Sequence, residues 1–69
     1  MMTLTEYVTQ FGDPHQVILM EHLPRTHSLT PCLFRSPDIG RLPIFAVQRD
    51  IDHPEREIVY IKLPHGVFL

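Results

Sequence analysis

The stretch 41-RLPIFAVQRDIDHPEREIVYIKL-63 holds two apolar runs on either side of a turn-forming cluster. Ile44, Phe45, Ala46 and Val47 make up one run and Ile58, Val59, Tyr60 and Ile61 the other, with Asp52, His53, Pro54 and Glu55 between them. Runs rich in β-branched and aromatic residues around such a cluster read as an antiparallel β-hairpin from Arg41 to Leu63. Side chains alternate between the faces of a strand. Strict alternation puts Leu42, Ile44 and Ala46 on one face and Phe45, Val47 and Ile51 on the other, while Val59, Ile61 and Leu63 oppose Ile58 and Tyr60. Both faces are therefore apolar, and each needs a cover.

Upstream, Leu4, Tyr7, Val8 and Phe11 recur at helical spacing behind Thr3 and Glu6, which are spaced as a capping box. Gly12 suits the left-handed position that ends a helix. The next segment carries two sets of signals. Asp13, Pro14 and Gln16 resemble a cap, a first-turn proline and a capping partner, whereas Val17, Ile18 and Leu19 suit a short buried strand. Local signals slightly favour a helix from Pro14 to His22. Between residues 25 and 40, Pro31 and Pro37 exclude a regular helix; Leu29 to Arg35 suits a short edge strand and Ser36 to Gly40 a turn.

The chain has 69 residues and is expected to form a single domain, 1–69, which buries only about 60% of the surface its unfolded chain exposes. Domains this small usually add a disulfide, a metal or a second subunit. Cys32 is the only cysteine, so no intrachain disulfide is possible, and a second subunit is the expected staple. An apolar fraction of 43% and a charged fraction of 20% are those of a folding chain. The net charge of −2 gives no general attraction to nucleic acid or anionic lipid. No run is long enough to span a bilayer, and the lone cysteine without an export signal points to the cytoplasm.

The candidate chemistry is sparse. His22, His27 and Cys32 invite a zinc reading, but their spacing of five matches neither a helix face nor a strand face, and exposed loop histidines with a buried cysteine are the favoured reading. The adjacent pairs Glu21–His22 and Asp52–His53 are read as turn and surface residues rather than proton-transfer pairs. Gly12, Gly40 and Gly66 stand alone, so no phosphate loop exists. No cofactor, metal or catalytic residue is assigned, and the chain is expected not to be an enzyme.

Five of the six cationic residues are arginine, the residue favoured at interfaces. The expected partner-binding residues are Phe34, Arg41, Phe45, Arg49, Tyr60 and Phe68: the aromatics as apolar anchors, the arginines as rim contacts. The tail Val67-Phe68-Leu69 either packs on the chain's own sheet or enters a partner's groove.

Thr3-Leu4-x-x-Tyr7-x-x-x-Phe11-Gly12 resembles the first helix of small phage repressors of the Cro type, and Gly40-Arg41 followed by Ile44-Phe45 is similar to the start of the C-terminal hairpin of that family. The likeness covers about sixteen positions and implies a DNA-binding regulator, with DNA-contacting residues at none of the matched positions. The small residue and turn glycine of a helix-turn-helix are absent, and Pro31 and Pro37 fall where a recognition helix would lie.

The fold expected is α+β: an N-terminal helix, with a second short helix as an option, packed on a small antiparallel sheet of two to four strands that ends in the C-terminal hairpin. The leading function is a non-enzymatic, homodimeric, protein-binding regulatory module, an inhibitor or adaptor acting by surface occlusion. A Cro-type DNA-binding regulator is the alternative, with nucleic acid the less favoured partner and no membrane partner expected.

Overall fold

A computed structural model describes residues 2–21 and 26–64. Helix α1 spans Leu4–Phe11, strand β1 Gln16–Met20 and strand β2 Thr26–Leu29. Two single helical turns follow, α2 at Pro31–Phe34 and α3 at Pro37–Gly40, and then strands β3, Ile44–Arg49, and β4, Glu57–Lys62. None of the helices among the described residues is long and apolar enough to cross a membrane.

Helix α1 begins with the capping box its sequence encodes. Thr3 Oγ1 accepts from the Glu6 N–H at 3.2 Å, and Glu6 Oε1 accepts from the Thr3 N–H at 3.1 Å. The helix ends where Gly12, at φ +84°, donates its N–H to the Val8 carbonyl at 2.9 Å. Side chains rarely adopt that backbone angle, which accounts for the glycine.

The four strands form one sheet in the order β2-β1-β4-β3. Strands β3 and β4 pair antiparallel, as the hairpin reading requires, and so do β1 and β2. The sheet is nonetheless mixed rather than wholly antiparallel, because β1 and β4 run parallel at its centre with Val17 opposite Val59 and Leu19 opposite Ile61. The expected helix over 14–22 is corrected to strand β1. Its capping signals are used elsewhere: the Asp13 carboxylate binds the Arg35 guanidinium, and the Gln16 amide donates to Ser28 Oγ at 2.9 Å. The hydrogen bond to Asp13, with the attraction of its charge, holds the Arg35 pKa above its ordinary value. With its cap residues engaged across the fold, Val17-Ile18-Leu19 takes the ladder that its β-branched character favours.

The segment 26–40 also differs from expectation. Its edge strand is Thr26–Leu29, and the prolines at 31 and 37 each open a single helical turn, where a missing N–H costs nothing. The segments a Cro-type helix-turn-helix would occupy are thus strand β1 and two four-residue turns.

One face of the sheet is covered. Val17, Leu19, Leu29, Val59, Ile61 and Leu63 pack there with Leu4 and Tyr7 of α1, Phe34 of α2, Ile39 of α3 and Leu42. Leu4, Val17, Leu19, Val59 and Ile61 are fully buried, each worth about 1.5–3 kcal/mol by removal from water. The described helices all pack on the covered face; on the other, Ile18, Met20, Ile58 and Tyr60 are half-buried.

Gly40 marks the closest approach between α3 and α1, since a Cβ there would meet Thr5 Oγ1 well inside van der Waals contact. Gly40→Ala is expected to lower stability by about 1–2 kcal/mol. Adding Thr5→Ala, which deletes the clashing oxygen, should restore most of that loss in urea unfolding, a coupling that identifies the contact.

Candidate functional site

Strand β3 is an edge strand whose residues are nearly all exposed. Its beginning is fenced. The Ile44 N–H donates to the Met2 carbonyl at 2.9 Å, the Leu42 carbonyl accepts from the Leu4 N–H at 3.0 Å, and Thr3 bridges Pro43. A bulge follows at Phe45, so that Ile44 faces Ile61 but Ala46 faces Tyr60 and Val47 faces Val59. The extra residue resets the alternation. Val47 joins Ile44 on the helix-covered side and Ala46 joins Tyr60 on the open side, which corrects the faces expected for Ala46 and Val47. Alternation along an antiparallel ladder, counted from Ile44, then aims the N–H and C=O groups of Val47 and Arg49 at the open edge.

A groove of about 510 Å³ lies between this edge and α1. Met2, Tyr7, Phe11, Ile44 and Val47 line it, and Arg49 and Glu57 close one end. Those two residues are directly opposed on β3 and β4, with Arg49 Nη2 2.7 Å from Glu57 Oε1, so the groove carries no net charge. Phe11 is 60% exposed, its ring centroid 5.0 Å from that of Tyr7. Tyr7 is buried, and its hydroxyl has no hydrogen-bond partner.

An unpartnered buried hydroxyl works against the fold. Tyr7→Phe should therefore raise stability, by about 1 kcal/mol, shifting the urea midpoint upward without changing the slope.

Four of the six expected partner-binding residues are at the described surface. Phe45 is 61% exposed with Lys62 Nζ 5.8 Å from its ring centroid; Tyr60 lies on the open face and donates to Gln48 Oε1 at 2.8 Å. Arg49 lines the groove, and Arg41, which does not, pairs with Asp38 at 3.5 Å in solvent. Phe34 is corrected: it is 3% exposed and is part of the core, because α2 turns it inward under the sheet. Phe68 lies outside the described residues.

Cys32 is exposed rather than buried, which corrects the expected buried cysteine: it stands on the solvent side of α2 while Phe34 points inward. His27 Nε2 lies 3.4 Å from Glu21 Oε1, close enough to pair when protonated but without hydrogen-bond alignment. His22 lies outside the described residues, among which no three His, Cys, Asp or Glu side chains gather. His53 and Asp52 are exposed in the hairpin turn, where the Asp52 N–H donates to Asp50 Oδ1 at 3.0 Å.

The sequence reading missed Tyr7, Phe11 and Val47 as site residues. Tyr7 and Phe11 carried a usable signal, since an i, i+4 aromatic pair at a helix end sets one ring partly beyond the core. Val47 carried none, because the bulge that turns it into the groove depends on pairing with β4. No protein-family model, curated protein or solved structure matches the chain, so the site stands on its own geometry.

Proposed function

We propose that this chain is a non-enzymatic protein-binding regulatory module that acts by occluding a surface of its target. The observation that carries this reading is a pair of exposed apolar side chains on one groove. Phe11 and Val47, 60% and 45% exposed, both line the groove between α1 and β3, while Phe45, 61% exposed, stands on the same strand beside Lys62. Apolar anchors around a groove, with an ion pair at the rim, are the usual composition of a binding patch.

In the same reading the uncovered sheet face, with Ile18, Met20, Ile58 and Tyr60, pairs with a second copy, and the β3 side remains for the target. The exposed thiol of Cys32 suits a reducing compartment, and we place the protein in the cytoplasm.

Affinity capture from a native lysate tests the target side. A protein retained by the native chain should be lost with Val47→Asp and kept with Leu33→Ser, which alters an equally exposed apolar residue on α2. A loss of about a hundredfold in affinity is expected for the first and no change for the second. Retention by Val47→Asp, or loss of capture by Leu33→Ser alone, contradicts the assignment.

A further inference from the structure

We infer that the β3 edge and the groove beside it take an extended, uncharged peptide segment, added to the sheet as a fifth strand with an apolar side chain seated against Phe11 and Val47. The inference rests on the protein-binding reading and names the class of partner.

Three features fix the occupant. The first is the backbone: Val47 and Arg49 aim their N–H and C=O groups at the open edge, two residues apart, the spacing at which an added strand forms its hydrogen bonds. A side chain alone cannot satisfy such a row. The second is charge. The Arg49–Glu57 pair at 2.7 Å neutralises the end of the groove, so an anionic or cationic ligand gains nothing that an uncharged one lacks. The third is Tyr7, buried in the wall of the groove with a hydroxyl that the fold leaves without a partner. A peptide carries hydrogen-bonding groups at every residue, so a segment seated in the groove brings a partner of the kind that hydroxyl lacks.

A second copy is the rival occupant, and the edge is shaped against it. The free portion is short because Met2 to Leu4 fence its start; the Phe45 bulge breaks its regularity, and Arg49 ends it. A second copy of β3 would have to bring its own bulge and its own Met2–Leu4 fence against this short edge, whereas a separate extended segment carries neither.

The experiment selects a displayed library of random decapeptides on the native chain, then follows the best synthetic peptide by amide hydrogen exchange of the labelled protein. Enriched peptides should be uncharged, with apolar residues at alternate positions. Their binding should slow exchange at Val47 and Arg49 by about tenfold or more and leave Gln48, which points into the existing ladder, little changed. Methylating alternate peptide nitrogens should weaken binding by about tenfold in one phase and hardly at all in the other. Tyr7→Phe should weaken the peptide while raising the urea midpoint of the free protein, two opposite effects that a merely structural tyrosine does not produce together.

Failure to enrich any peptide overturns the inference, as does a bound peptide that leaves the Val47 and Arg49 amides unchanged. So does slowing of those amides with protein concentration alone, which would assign the edge to a second copy. If Val47-dependent capture of a folded protein persists while no peptide is enriched, strand addition fails and the protein-binding reading stands. If both are absent, both fail.

Discussion

Leu19→Ala is expected to remove a large share of the protein's stability, whereas Ile18→Ala, one residue away, removes little. Leu19 has no exposed surface and stands on the central strand β1, opposite Ile61 on one side and His27 on the other. A strand held by ladders on both edges cannot move in to fill the space that a lost isobutyl group leaves. The cost should fall in the upper part of the usual range for such a truncation, about 3–5 kcal/mol. A domain of this length has roughly 3–10 kcal/mol in all. Ile18 points to the uncovered face, so its truncation removes little buried area from the monomer and should cost about 1 kcal/mol or less. Urea unfolding of the two variants checks the register directly, because a shift of β1 by one residue would exchange their effects.

The second large effect concerns assembly. Ile18→Glu sets a carboxylate at the middle of the uncovered face, beside Tyr60 on β4 and Ser28 on β2. In a free monomer that carboxylate is solvated and the far-UV circular dichroism should be unchanged. In a dimer joined through this face, it would be buried without a counter-ion, and the dissociation constant is expected to rise by about a hundredfold or more. A dimer that withstands the substitution is joined elsewhere. Leu33→Glu, at a similarly apolar but distant position on α2, serves as the control for net charge.

The parts of the fold that were legible in the sequence are those specified locally. Thr3, Glu6 and Gly12 bound α1 through contacts within a few residues, and the turn cluster 52–55 brings β3 and β4 together without help from the rest of the chain. Strand β1 was not legible, because its neighbours Asp13 and Gln16 carry helix-capping chemistry that the fold spends on Arg35 and Ser28, 22 and 12 residues away. The parallel pairing of β1 with β4 was equally hidden. It joins residues some forty positions apart and leaves no mark on local periodicity.

The candidate site was half legible for the same reason. Phe45, Arg49 and Tyr60 are recognisable as surface residues of a hairpin, and they are found there. Val47 could not be placed, since alternation alone sends it to the same face as Phe45 and the bulge reverses it. Phe34 looked like an anchor because aromatic residues near arginines often are, and nothing in 31-PCLFR-35 says that the single turn opened by Pro31 points the ring inward.

Among the described residues the sheet is covered on one face only, and the proposal assigns its other face to a second copy. Sedimentation equilibrium of the native protein across the micromolar range tests that most directly. A mass of twice 8.1 kDa, falling to 8.1 kDa in Ile18→Glu, is the expected result. A native mass of 8.1 kDa at every concentration would contradict it.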